Sequence, residues 1–305
     1  MPASLRRFSF KAMGSNCEIQ FHAESRIEAK KQARTLIAEA QRLETKYSRY
    51  RADSFLTQIN QAAGNASGII VDEETLKLFQ HAEACFKQSD GLFDVTAGIL
   101  REAWDFRKPK LPEQAQLEAL RAKIGFDKLQ WQEDSLLIPT GVEIDFGGIV
   151  KEYAADAVAR LARNIGIEHG LVNLGGDFSI IGPKPDDNPW PVGIANPNQP
   201  AAMMARIELL DGGLASSGDY ERCFVLEGKR YSHILNPKTG WPSDGLRAVS
   251  VAANLCTVAG SFATIAMLKP EQEALEWLEE SSLPYIYMDS SEQIRGPAIQ
   301  AQNSS

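Results

Sequence analysis

Cysteine is scarce, and each one stands alone. Cys17, Cys85, Cys223 and Cys256 are widely spaced, with no C-x-x-C pair. Metal-binding cysteines come in close pairs and disulfide-stapled domains are cysteine-dense, so neither class gains support; reduced, mostly buried thiols are expected. Histidine is equally sparse, with four residues. The phosphate loop G-x-x-x-x-G-K-[ST], the dinucleotide fingerprint G-x-G-x-x-G, the zinc motif H-E-x-x-H and the nucleophile elbow G-x-S-x-G are all missing. The first residues hold no apolar run that could serve as a signal-peptide core, and none precedes Cys17 as a lipobox requires, so a cytoplasmic protein is expected. Positive charge is in deficit: 32 basic against 40 acidic residues leave a net charge of -8. That balance argues against broad nucleic-acid or anionic-membrane binding, so no nucleic-acid partner and no membrane insertion are expected, while a local basic pocket for phosphate stays open. No repeat of roughly 20 to 50 residues is present, which excludes a solenoid or propeller.

What the chain does have is a globular composition. Its 305 residues are 44% hydrophobic and 24% charged, ample for a sizeable core. Alternation predicts strands over Arg6–Met13 and Asn16–His22, joined through Gly14-Ser15. Apolar spacing from Ile27 to Leu43 predicts a long amphipathic helix. Ser54 caps a short helix ending near Gly64, and Asp72 caps another to about Gln88. A turn at Asp90-Gly91 leads to a helix around Thr96–Ala103, Pro112 opens one to about Ile124, and KLQWQ with SLLIP forms a hairpin. After Val142 a helix over Val150–Ile165 precedes many short strands divided by Asn, Asp, Gly and Pro. Thr257 caps a helix to Leu268, Pro270 opens one to about Glu280, and LPYIYMD closes as a strand. Strands and helices in blocks, without a Pro/Ser-rich linker, predict one α+β domain over residues 1–290, with a loose polar tail at 291–305.

Chemistry-bearing residues gather in a few places. His233 lies in YSHILNPKTGWP, where a strand runs into an Asn-Pro turn. There it is either a proton carrier near neutral pH or a buried, hydrogen-bonded histidine. His22 and His81 lack partners in the pattern and are expected to be structural; His169 is expected to be exposed. Three glycine-rich loops, Gly147-Gly148, Gly175-Gly176 and Ser216-Ser217-Gly218, are flanked by Asp145, Asp177 and Asp219. Glycine allows close backbone approach to a ligand, and a helix start bearing Lys151 favours an anion. Tyr47, Tyr50, Phe93 and Trp104 stand in or beside polar loop stretches of the sequence. Phe93 and Trp104 read as core, whereas Tyr50 in SRYRADS could stack on a planar ligand. These residues predict a pocket for a phosphate-bearing aromatic small molecule, but no reaction.

Longer stretches carry a resemblance. AMGS (Ala12–Ser15), KYSRYRADSFLTQIN (Lys46–Asn60), DGLFDVT (Asp90–Thr96) and EIDFGGIVKEYAAD (Glu143–Asp156) are followed by LVNLGGDFSIIG (Leu171–Gly182), ASSGDYER (Ala215–Arg222), YSHILNPKTGWP (Tyr231–Pro242) and VAGSFATIAML (Val258–Leu268). In this order the chain resembles the ApbE family of FAD:protein FMN transferases. The resemblance implies an α+β, T-fold-like domain with an FAD cleft. It implies magnesium-dependent transfer of FMN from FAD to a Thr or Ser hydroxyl of a target flavoprotein, with AMP leaving. By motif, Met13 and Tyr50 are expected to line the flavin or adenine pocket, with Leu92, Phe93 and Asp94 as another wall. Asp145 and Lys151 are expected to touch the nucleotide, and Ile234 to lie against FAD beside His233, the candidate base.

One departure stands out. The magnesium site implied by the resemblance uses an Asp and a Thr four residues apart, plus a backbone carbonyl after the first glycine loop. Thr264 and Gly148 match, but the Asp position is Gly260. Glu152, at a position where the family has glycine, is either a compensating carboxylate or a solvated helix residue. Three functions therefore stand open: the transferase, a non-catalytic FAD-binding protein for delivery or assembly, and an FAD pyrophosphatase.

Overall fold

Alternating apolar and polar residues fold the N-terminus as a hairpin of β1 (Ser4–Ala12) and β2 (Ser15–Ala23), with Ala12 opposite Ser15. The turn residues are therefore Met13 and Gly14, at φ +52° and +70°, one position earlier than expected. A two-residue loop of the type I′ kind has left-handed backbone at both positions. Met13 adopts it with its amide donating to Glu44 Oε1 at 2.6 Å. The structure, a computed structural model, describes residues 3–298 except 198 and 221, with the backbone alone at 199–202.

Helix α1 (Arg26–Tyr47) begins at Ser25, whose hydroxyl accepts from the Glu28 amide, and it buries Ala29, Ala33, Leu36, Ala40 and Leu43. Ser54 and Asp72 cap α2 (Phe55–Gln61) and, beyond β3 (Ile69–Ile70), α3 (Glu73–Gln88). The helix expected near Thr96 is a 3₁₀ segment, Ala97–Glu102. Helix α4 (Gln114–Arg121) starts two residues after Pro112 and is shorter than expected. The hairpin β4 (Gln130–Gln132) and β5 (Ser135–Leu137) joins β3 in a small sheet.

The second half holds α5 (Val150–Asn164), β6 (Gly170–Leu174), β7 (Asp177–Gly182), β8 (Trp190–Asn196), β9 (Gln199–Leu209) and β10 (Gly213–Gly218). It continues with β11 (Cys223–Leu226), β12 (Lys229–Ser232), β13 (Ala248–Ala253), α6 (Cys256–Leu268), α7 (Glu271–Ser281), β14 (Tyr285–Met288) and β15 (Ile294–Arg295). An eight-stranded sheet runs β1-β2-β6-β7-β10-β13-β14-β15, every neighbour antiparallel. The fold is α+β, as expected. The tail is not loose from 291 onward: Ile294 pairs with Met288, and Asp289 accepts from the Gln293 amide at 2.8 Å. Residues 299–305 lie outside the described residues.

Period-two alternation sends neighbouring side chains to opposite faces of this sheet. Val172 and Val251 join the main core with α1, α5 and α6, while Leu171 and Ala252 pack under the β8–β9 ribbon. A third cluster is aromatic. Trp104 stacks on Phe106 at 5.6 Å, meets Trp241 at 5.3 Å, and donates to the Gly240 carbonyl at 2.8 Å. It ties the β11–β12 hairpin and the turn after it to the helical block. Among the described residues no helix is long and apolar enough to cross a membrane.

Candidate functional site

Gly175-Gly176 is the two-residue turn between β6 and β7, at φ +64° and +95°. A Cβ on Gly175 would stand 2.7 Å from the Ser15 Cβ, so this turn abuts the β1–β2 hairpin. Turn geometry and packing account for these glycines. Their effect is to place Asp177 at the head of β7, only 1% exposed. Its Oδ1 accepts from the Ser216 amide at 3.2 Å, and its Oδ2 lies 2.6 Å from Lys151 Nζ.

The other two glycine stretches behave differently. Gly147-Gly148 leads directly into α5, and the Gly147 amide donates to Asp145 Oδ1 at 2.9 Å. Ser216-Ser217-Gly218 is not a loop: it is the end of β10, paired with β13. The Asp145 carboxylate is engaged by Arg49, which lies in SRYRADS but to which the sequence alone assigned no role. Arg49 also donates to the Tyr50 hydroxyl at 2.8 Å and covers its ring at 4.9 Å. That hydrogen bond lowers the Tyr50 pKa, and the ring remains 79% exposed. Phe93 is core, yet its ring tip stands 3.5 Å from where a Cβ on Gly148 would be; Leu92 beside it is half-buried. The Asp94 carboxylate accepts from the Thr96 amide and hydroxyl at 2.7 and 2.6 Å and from the Phe126 amide at 3.1 Å. Burial raises its pKa against those bonds.

Between α5 and α6 the structure brings together what the sequence kept apart. Glu152, in the first turn of α5, is no solvated residue: it is 9% exposed and its Oε2 has no hydrogen-bond partner. Burial, and next the facing Asp177 carboxylate, push its pKa well above the usual carboxylate range. It fits because position 260 is glycine. A Cβ there would lie 2.6 Å from Glu152 Cγ and 3.3 Å from its Oε1. Cys256, Gly260 and Thr264 recur every fourth residue and so share one face of α6. One turn beyond Gly260, Thr264 Oγ1 is 2.9 Å from Ser217 Oγ. Among the described residues no group of three or more His, Cys, Asp or Glu side chains is arranged to hold a metal, so any ion here needs hydroxyl or carbonyl oxygens as well.

Helix α6 is capped from outside. The buried Asp156 of α5 accepts from the Cys256 amide at 2.9 Å, the Thr257 amide at 2.9 Å and the Thr257 hydroxyl at 2.7 Å. It also accepts from Ser179 Oγ at 2.9 Å. The expected cap, Thr257, therefore sits inside the helix as a donor, and a cap lent by another helix leaves no local sequence signal.

His233 follows β12 and is half-buried, its amide donating to the Arg222 carbonyl at 3.0 Å. The Arg222 charge also acts on the Tyr50 hydroxyl, which links this strand end to the SRYRADS loop. Ile234 packs against the main core, and its carbonyl accepts from the Ser243 amide at 2.9 Å. His81 has the structural role expected of it, while His169, expected to be exposed, is corrected. His81 Nε2 is 2.8 Å from Ser261 Oγ, and the half-buried His169 has Nδ1 2.9 Å from the Pro183 carbonyl. All four cysteines are free, three of them buried.

Comparison with known proteins adds an independent line. The family model described as "ApbE family" matches residues 13–287. The FAD:protein FMN transferase of Vibrio cholerae is 30% identical over 294 residues, covering 93% of this chain and 87% of its own. That of Salmonella typhimurium is 32% identical over 251 residues, covering 77% and 70%. Among solved structures, the ApbE protein of Thermotoga maritima superposes with a TM-score of 0.88 at 29% identity, over 96% of this chain and 97% of that one. The flavin transferase ApbE from Vibrio cholerae gives 0.86 at 27% identity, over 98% of both.

Proposed function

The chain belongs to the ApbE family, and from that premise we propose that it transfers FMN from FAD to a Thr or Ser hydroxyl of a target flavoprotein, releasing AMP. The observation that carries this to the site is the first turn of α5. There Lys151 meets the buried Asp177 carboxylate beside a helix N-terminus, with the Thr264–Ser217 hydroxyl pair one layer away. A pyrophosphate wants such a mixture of positive charge, amide donors and acidic oxygens.

The roles divide by chemistry. Met13 and the exposed Tyr50 ring flank the flavin or adenine, with Leu92, Phe93 and Asp94 as a second wall and Ile234 beside His233. Asp145 and Lys151 meet the nucleotide. His233 takes the proton of the incoming hydroxyl as its oxygen bonds to the FMN phosphorus, and the phosphorus–oxygen bond to AMP breaks. Lys151 holds the diphosphate in place, and the loop bearing Arg49 and Tyr50 shields it from water. The buried Glu152 oxygen without a hydrogen-bond partner, against Gly260 and one helical turn from Thr264, suits a hard cation. A magnesium ion held there by Thr264, the Gly148 carbonyl and a carboxylate would neutralise pyrophosphate charge. The four free cysteines accord with a reducing compartment, so the cytoplasm is the location we assign.

Incubation with FAD, Mg²⁺ and an acceptor protein tests the proposal. The expected outcome is a fluorescent, denaturation-resistant acceptor band with one AMP released per flavin attached. Equal FMN and AMP release with or without acceptor would make the chain a pyrophosphatase. FAD binding without any AMP would make it a carrier.

A further inference from the structure

We propose that Glu152 delivers, from α5, the carboxylate that holds the divalent cation, and that Gly260 is the notch in α6 that admits it. The inference rests on the transferase reading for the purpose of the ion, but its geometry is independent of it. Glu152 is nine-tenths buried, and one of its oxygens has no hydrogen-bond partner. Taking a carboxylate out of water is costly unless a partner replaces the lost solvation. The nearby positive side chain is Lys151, and it is already 2.6 Å from Asp177. With both carboxylates ionised, the one ammonium answers only one of them. A dication converts that deficit into a net positive site facing a diphosphate.

The position of the carboxylate is set by what position 260 lacks. With its carboxyl oxygen 3.3 Å from where a Cβ on Gly260 would stand, Glu152 occupies the volume that an Asp at 260 would fill. The two arrangements exclude each other, because that Cβ would overlap Glu152 Cγ at 2.6 Å. Thr264 lies one helical turn further along the same face, with its hydroxyl turned to Ser217. The carboxylate has thus changed helices while the hydroxyl beside it has stayed. Sequence positions 152 and 260 form one functional pair.

The test counts bound ion directly, with Mn²⁺ as the probe and its free signal read by electron paramagnetic resonance, first alone and then with FAD. The native chain is expected to bind one Mn²⁺ per molecule and to melt at a higher temperature with it. Glu152→Gln, which keeps volume and removes charge, should lose at least about tenfold in Mn²⁺ affinity and lose the thermal shift. Gly260→Asp alone should not tighten binding, because the added side chain meets Glu152. The exchange Glu152→Gly/Gly260→Asp should recover Mn²⁺ affinity to within a few-fold of native, where Glu152→Gly alone does not. Native-like Mn²⁺ binding by Glu152→Gln, or a folded exchange variant with no recovery, overturns the assignment. Flavin fluorescence measured in parallel separates the two readings: loss of FAD binding by the native chain refutes the transferase, while the Mn²⁺-alone titration still decides Glu152.

Discussion

An imidazole at the end of a short strand has two ways to matter, and a substitution can tell them apart. The backbone of His233 is pinned to Arg222, so replacing its side chain leaves the strand end in place. If it accepts the acceptor's proton, His233→Asn should slow transfer by roughly 10²- to 10⁴-fold while FAD affinity stays within a few-fold. Kinetics, flavin titration and melting on that one variant are the measurements. A melting loss that tracks the activity loss would return His233 to the scaffold. Arg49 and Asp145 show the same scale from another side. Asp145 is ion-paired within the protein, so the nucleotide contact proposed for it would run through a carboxylate whose charge is already answered.

Helix α6 is where one element depends on another. Its N-terminal amides are satisfied by Asp156, which belongs to α5 and also holds Ser179 of β7. Removing that carboxylate orphans two helix amides and two hydroxyls in the interior. Asp156→Ala should therefore cost about 3 kcal/mol in urea unfolding. Loss of Mn²⁺ affinity should accompany it, since α6 carries both Gly260 and Thr264. A cost below about 1 kcal/mol would mean that water replaces the cap. The small residues along this helix have their own reason: Ala259, Gly260 and Ala263 let α5 and β10 approach closely.

At the scale of the whole molecule, a ring of charge on the surface links the first and third helices. Glu74 is partly buried, which raises its pKa, but hydrogen bonds from Arg42 and Lys46 outweigh burial and hold it at about 2, below the ordinary 4.5. Both contacts are 2.7 Å. A carboxylate depressed in the folded state stabilises fully above its unfolded pKa, and that contribution disappears as pH falls from about 4.5 towards 2. Because the group is substantially solvated, its worth at neutral pH is about 1 kcal/mol. Glu74→Gln should lower stability at pH 7 by that amount and by almost nothing near pH 2. Melting curves across that range check it, and a parallel offset at every pH would refute the linkage.

Local chemistry was enough for much of this protein. Ser54 and Asp72 cap the helices their spacing announced, α5 begins at Val150 as predicted, and alternation placed most strands of an α+β fold. Those features arise from contacts within a few residues, which a sequence displays directly. The family motifs supplied Met13, Tyr50, Asp145, Lys151, His233 and Thr264 as candidates, whose roles rest on the proposal above. Tertiary packing alone decided the rest. Whether Glu152 faced water or Gly260 depended on how two helices separated by about a hundred residues lie against each other, and no pattern along the chain encodes that distance. The Asp156 cap, the Arg49–Asp145 pair and the pairing of Ile294 with Met288 share this character. Each partner has an ordinary polar or apolar identity in sequence, and only burial, which removes water as the alternative partner, makes the pairing specific.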